Sequence, residues 1–235
     1  KLKYRRSYLG ILWTLLEPLL TMIVLSIVFG TLFGNDDPHF PVYILCGRLM
    51  YSFFSSGTNG AMKAIRTNAG MIKKVYVPKY IYPLSSVLFN YIIFLISLIV
   101  LVAVGIVLKV YPTIYMLQAV VPLVLILFTA FGVGMILSTL AVFFRDLEYL
   151  WSVGLMIIMY ASAIFYYPER ILNSGFGWIL KCNPLYLLIH NFRQAVFGRP
   201  MNMKFLAASI VFAIVSVIVG LYFFYKKQDE FILHI

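Results

Sequence analysis

Charge is scarce in this chain, and acid scarcest of all. Of 235 residues, eight are Asp or Glu against nineteen Lys or Arg, and 11% are charged. An ordinary soluble domain carries about 25%, so a single water-facing globule is excluded, whereas lipid accepts this much apolar surface. Cysteine is nearly absent. Cys46 and Cys182 stand in no metal-ligating spacing and lend zinc no support. They are expected as two inert thiols, with a bridge on the outer side left open. The three histidines, His39, His190 and His234, are far apart and make no ligand motif. The dipeptide Gly-Lys does not occur, so the chain has no phosphate-binding loop of the G-x-x-x-x-G-K-[ST] kind. No serine–histidine–acid order and no paired carboxylates point to catalysis. The chain opens on Lys1 rather than Met, so a preceding segment is expected, and no cleaved signal peptide is visible.

What is abundant is apolar: 63% of residues are hydrophobic and the mean hydropathy is +0.95. The net charge of +11 sits in short clusters between apolar runs. Anionic headgroups and the positive-inside bias account for that pattern, and nucleic acid is not an expected partner. A bilayer core takes about 20 apolar helical residues. Stretches 11–33, 81–108, 115–144, 149–167 and 205–225 meet this, and 42–62 is long enough but less apolar and contains Arg48. The reading is therefore all-α: a single polytopic membrane domain of six transmembrane helices over 1–235. Most Lys and Arg then fall on one side, while the loop 34–40 holds Asp36 and Asp37 and no base. Both termini are expected in the cytoplasm. The region 168–204 resists this rule, with Arg170, Lys181, Arg193, Arg199 and Lys204 on the outer side. Its apolar pieces are too short to span and are broken by Gly175, Gly177, Pro184 and Pro200, which predicts short re-entrant helices before the last span.

Residues 1–10 place Tyr4 and Tyr8 among four bases, the pattern of an amphipathic helix in the inner interface. Glu17-Pro18 follows, and Pro18 predicts a kink. Glu17 and Arg48 are the only charges inside the expected spans. A proton-coupled carrier places ionisable groups mid-membrane, so the energy source is expected in another subunit. The cytoplasmic loop 63–80 interleaves bases with Ile65, Met71, Ile72, Val75 and Val77. Asn68 is placed to cap a short helix starting at Ala69, and Pro78 to end it. Such a helix suits a cleft on a soluble partner, and equally a bed of headgroups.

Together the runs KYRRSYLGILWTLLEPLL, NAGMIKKVYVPKYIYPLSSV and VFFRDLEYLW resemble the permease of bacterial polysaccharide exporters. These are type-2 ABC transporters that export lipid-linked O-antigen, capsule or teichoic acid. SAIFYYPERI and CNPLYLLIHNFRQAVFG are similar to that family's outer segment, and Arg48 in CGRLMYSFFSS departs from its expected apolar residue. The resemblance implies a homodimer of six-span subunits, each bound to a separate ATP-hydrolysing subunit that holds the ATP and Mg. No cofactor, metal or catalytic residue is expected in this chain. It also implies that the amphipathic entry helix and the loop around Asn68–Lys79 face that ATPase, with Asn68, Met71, Ile72, Lys73, Lys74, Val75 and Tyr76 as candidate contacts. Arg145 and Asp146 read as a helix-end polar turn at the cytoplasm and are candidates for the same contact. The short outer helices would form an exit gate.

A glycan offers C–H faces that aromatic rings stack on and slide along. Tyr51, Phe53 and Phe54, beside Ser52, Ser55, Ser56 and Asn59, and the later Tyr160, Phe165, Tyr166 and Tyr167 are the candidate path residues. Interface belts put aromatics at the same positions. Arg48 would touch an anionic substrate if it faces water, or snorkel if it lies near the outer interface. Lys1, Lys3, Arg5 and Arg6 would meet a lipid phosphate at the inner headgroups, or simply anchor the chain. Two other functions compete with polysaccharide export: a type-2 drug or antibiotic efflux permease, and a membrane-embedded glycosyl or acyl transferase. The transferase would need acids or histidines converging in one cavity, which the spacing does not supply.

Overall fold

The computed structural model describes residues 13–33, 37–75, 77–111, 113–173 and 175–231, and among them every regular element is helical. Six longer helices are α1 (Trp13–Phe33), α2 (Phe40–Thr67), α4 (Ile81–Val107), α5 (Val120–Phe143), α6 (Leu147–Tyr160) and α10 (Met203–Lys227). Shorter ones are α3 (Ala69–Ile72), α7 (Glu169–Leu172), α8 (Gly177–Cys182) and α9 (Pro184–Val196). Four stretches are long and apolar enough to cross a membrane: Trp13–Thr31, Ile81–Val107, Ile114–Phe143 and Met203–Glu230. The N-terminal basic strip, with Lys1, Lys3, Arg5 and Arg6, lies outside the described residues, as does Tyr76.

The centre of the bundle is α2, on which α1, α4, α5, α6 and α9 all pack. It is 28 residues long, about 42 Å at 1.5 Å per residue. It is also less apolar than the helices around it, and its position explains why. Lipid selects apolar side chains on the outside of a bundle, while the inside accepts small and polar residues that pair with each other. Thr58, fully buried, accepts from the Trp151 indole at 3.2 Å. Small residues also set the approach of α10 to α5. A Cβ on Gly132 would run into the Ser216–Val217 backbone, and one on Gly220 into the Gly132 carbonyl. Gly30, by contrast, meets nothing within 4 Å. Both cysteines are free thiols, Cys46 buried and Cys182 exposed.

Helix α1 runs through Pro18. Proline has no N–H to offer the carbonyl four residues back, here that of Thr14. The Ser97 hydroxyl of α4 donates to that oxygen at 3.1 Å.

The expected fifth span, 149–167, is shorter than its hydropathy suggests. Helix α6 stops at Tyr160 after 14 residues, about 21 Å against a hydrocarbon core of about 30 Å. Residues 161–166 turn out of helical geometry, with Ala163 at φ 47°. The backbone groups freed here find partners on α2 and α9. Asn183 Nδ2 donates to the Ala161 carbonyl at 3.0 Å and to the Ser162 hydroxyl at 2.9 Å. Arg193 Nη1 and Nη2 donate to the carbonyls of Ala163 and Ile164 at 2.9 and 3.2 Å. The Tyr43 hydroxyl donates to the carbonyls of Ala163 and Tyr166. Arg193 is therefore no exposed outer-loop base, as its place in the sequence implied. It is buried and answers carbonyl dipoles.

The helix expected between Ala69 and Pro78 forms only over Ala69–Ile72. Asn68 does not cap it, because its side chain turns back and donates to the Ala64 carbonyl of α2 at 2.7 Å.

Candidate functional site

Three places in the bundle bring chemically distinctive residues together. The first is a cavity of about 150 Å³ between α1, α2 and α4. Glu17 and Arg48 both line it, together with Ser52, Ser56, Asn90 and Ser97. The two charges that the sequence places inside spans thus share one polar chamber rather than facing lipid separately. Arg48 is half-buried and stands 5.8 Å from the Tyr51 ring centroid.

The aromatics expected along a substrate path divide into two groups. Tyr51, Phe53 and Phe54 are buried in the subunit core. Phe53 stacks on Phe94 at 5.2 Å, Phe54 lies by Trp151, and the Tyr51 hydroxyl donates to the Leu155 carbonyl at 3.1 Å. Phe165 is buried as well, stacked on Phe29 at 5.1 Å. These four ring faces are taken by neighbours within the subunit. Tyr160 is 56% exposed, while Tyr166 and Tyr167 are half-buried. The Tyr166 hydroxyl donates to the Tyr160 carbonyl at 2.6 Å, and the Tyr167 hydroxyl donates to Asp37 at 2.7 Å. The subunit therefore does not gather the eight residues into one lined path.

The second place is the end of the bundle where α2, α3, α10 and the α5–α6 turn meet. Ile72 is buried with Ile65, Tyr82, Val142, Phe224 and Phe231. Met71 and Val75, 56% and 54% exposed, point away from that cluster beside exposed Lys73 and Lys74. Asn68 is half-buried, and Arg145 and Asp146 are exposed in the turn before α6. Glu148, which sequence reasoning passed over, ties these pieces together. It pairs with Arg66 at 2.7 Å and Lys63 at 3.1 Å, holding the start of α6 to the end of α2. An acid opposite a basic loop was the available signal. On the far side of the loop, Lys79 donates to the Gln228 carbonyl at 2.6 Å.

The third place is a cavity of about 500 Å³ at the opposite end, formed by residues near Asp37, the Lys109–Tyr111 turn, Tyr167–Glu169 and α9. Its floor is the Arg193–Tyr43 pair, and Asp37 sits at its edge. Burial alone would raise the Asp37 carboxyl. The hydrogen bonds from Tyr167 and the His39 N–H, with the charge of His39, outweigh it and hold the group below its ordinary range. Burial pushes the Tyr186 phenol up to about 12, so it stays protonated and able to donate. Burial and the charge of Arg193 lower His190 against the opposing pull of Glu169. Among the described residues no group of three or more His, Cys, Asp or Glu stands close enough to hold a metal ion.

Known proteins with this sequence pattern converge on one class. Residues 1–197 match the ABC-2 type transporter family. The chain is 31% identical over 234 residues to the O-antigen export system permease protein RfbA of Klebsiella pneumoniae, covering 98% of this chain and 89% of that one. It is 30% identical over 235 residues to the protein of the same description from Myxococcus xanthus, covering 98% and 90%. It is 25% identical over 242 residues to the polysialic acid transport protein KpsM of Escherichia coli, covering 97% and 89%. With a helical bundle that has several membrane-length helices, the match over most of its length is decisive: the chain belongs to the ABC-2 type transporter family.

Proposed function

We propose that this chain is the membrane-spanning subunit of an ATP-driven exporter that carries a lipid-linked polysaccharide, of the O-antigen, capsule or teichoic acid kind, across a bacterial plasma membrane. The observation that carries this is the near full-length likeness to permeases named for O-antigen and polysialic acid transport. The chain works as one of two identical subunits, crosses the membrane six times and keeps both termini in the cytoplasm. In this reading α2 and α6 complete the count. Helix α6 crosses together with the turn 161–166, whose carbonyls Arg193 and Asn183 satisfy at depth, and α7–α9 dip in from the outer side as an exit gate.

ATP and Mg are held by a partner subunit, which docks on the Met71–Val75 surface. Exposed Met71 and Val75 supply the apolar contact, and Lys73 and Lys74 the charge. Arg145 and Asp146 flank it, Tyr76 is assigned to the same contact from the sequence, and the Glu148 ion pairs transmit its movement from the loop into α6. The polar chamber of Arg48 and Glu17 gives hydroxyl-bearing substrate a hydrated wall. Tyr160, Tyr166 and Tyr167 present ring faces to the passing chain. Tyr51, Phe53, Phe54 and Phe165 support that wall from behind. Lys1, Lys3, Arg5 and Arg6 attract the lipid-borne phosphate at the inner headgroups.

Depleting the permease in its host and quantifying polymeric glycan outside and lipid-linked glycan inside tests the reading. Loss outside with accumulation inside is expected. Unchanged glycan in both pools sinks it.

A further inference from the structure

The cavity beside α9 is built from four separate stretches of chain and takes in Tyr167 and residues of the proposed exit gate. Its volume of about 500 Å³ falls in the range of about 300–1,000 Å³ that holds small ligands. Its walls carry two kinds of surface. Tyr111 is exposed and Tyr167 half-buried, Tyr186 is buried behind them against His190 and Phe205, and Lys109, Glu169, Gln194 and Arg199 offer charged or amide groups. Acids and bases are mixed, so the chamber is neither an anion trap nor an apolar slot.

One further observation points to a ligand. Tyr186 is 1% exposed, and its buried hydroxyl has no hydrogen-bond partner in the subunit. Buried polar atoms are almost always paired, because leaving one unpaired costs about 1–3 kcal/mol. Lys109, at the rim, holds φ 59° as the left-handed residue that ends α4, with the Val110 N–H donating to the Gly105 carbonyl and its own N–H to the Ile106 carbonyl. Tyr111 beside it stands 74% exposed.

A sugar ring has the complementary chemistry. Its hydroxyls donate to a carboxylate and accept from a phenol, an amide or a guanidinium, while its C–H face stacks on an aromatic ring. Asp37 and Glu169 offset Lys109 and Arg199, so the walls do not single out a phosphate, and a compact amphiphile would strand the polar groups. We propose that this cavity is a saccharide-binding subsite, holding one or two sugar units of the exported chain at the outer mouth of each subunit. The proposal rests on the export reading and on this end facing outward. Held there, an emerging polymer is hindered from slipping back between power strokes.

The test uses the full-length permease with its ATP-binding partner in lipid nanodiscs. Short oligosaccharides released from the host's own surface polymer are titrated and followed by saturation-transfer NMR, with inorganic phosphate as competitor. Saturable binding is expected, weakened about ten-fold by Tyr186→Phe and by Glu169→Gln and untouched by phosphate. Tyr111→Ala, at an exposed rim position that cannot upset folding, is expected to weaken it too. The subsite is overturned if no fragment binds, if all three variants bind like wild type, or if phosphate displaces the sugar. Export by the wild-type complex is measured in the same host. The export reading fails when depletion leaves surface glycan unchanged, and the subsite fails when export is intact and binding is absent or indifferent to the three substitutions.

Discussion

The guanidinium carbon of Arg193 lies 3.4 Å from the centroid of the Tyr43 ring, and its Nε donates to the Tyr43 carbonyl at 3.0 Å. Among the described residues no carboxylate is bonded to this buried cation. Three backbone carbonyls and one aromatic face answer it instead, and the same bonds pin the non-helical stretch after α6 to α2. A charge at such a position is costly unless fully engaged, and here its engagement closes a gap in the backbone ladder.

Arg193→Met is accordingly expected to destabilise the permease by several kcal/mol, since three buried carbonyls lose donors at about 1–3 kcal/mol each. Arg193→Lys does not rescue it, because an ammonium cannot present a planar fork. Gly47→Ala reaches the same site from α2: its Cβ would stand 2.6 Å from Arg193 Nη2. Its cost is expected to fall when combined with Arg193→Met. Thermal unfolding of the detergent-solubilised protein measures all four, and a Tm for Arg193→Met equal to wild type refutes the brace.

Ser97→Ala removes the donor that serves the Thr14 carbonyl, to which Pro18 offers no N–H, at a cost of about 1 kcal/mol. In a Pro18→Ala background the restored N–H takes over, and Ser97→Ala should cost little. A double-mutant cycle in Tm that shows simple additivity contradicts this pairing.

On the loop, depth separates two adjacent residues. Ile72→Ala empties a buried position and should cost about 2–5 kcal/mol. Met71→Ser with Val75→Ser should leave Tm unchanged yet uncouple ATP hydrolysis from surface glycan. Docking through this surface is refuted if the double variant exports normally.

Asp37 titrates below its ordinary value of 3.8 because Tyr167 and His39 hold its carboxylate. A depressed carboxyl adds stability above its unfolded pKa that is lost as pH falls through the folded one. The Tm of wild type should therefore drop between about pH 5 and pH 3, and that drop should be smaller in Tyr167→Phe. Equal pH dependence in both proteins excludes the Tyr167 bond as its source.

Parts of the fold were plain in the residues. The stretch 81–108 is matched by α4 (Ile81–Val107), and 205–225 falls inside α10 (Met203–Lys227), because a long apolar run bounded by polar residues has one solution in lipid. The stretch 149–167 was misjudged in extent: Ala161–Tyr166 are as apolar as a helix needs, and hydropathy does not register that Asn183 and Arg193 offer their carbonyls a different set of partners. Tyr51, Phe53 and Phe54 stand in the sequence as ring faces for a glycan or as an interface belt. In the bundle the Tyr51 hydroxyl bonds to the Leu155 carbonyl, Phe54 lies by Trp151, and Phe53 stacks on Phe94 while also lining the Arg48 cavity, placements that depend on the rotation of α2 about its own axis.

By itself the sequence determined the solvent, the family and most helix boundaries, since these follow from local hydropathy, charge placement and motifs read in order. Only the tertiary structure decided which polar groups meet. Arg193 bonds to Tyr43 across 150 residues and Ser97 to Thr14 across 83. In lipid every outward face is apolar, so hydrophobicity cannot say which side of a helix turns inward. Small-residue contacts and the need to satisfy each buried polar atom settle that, and both exist only once the helices are packed.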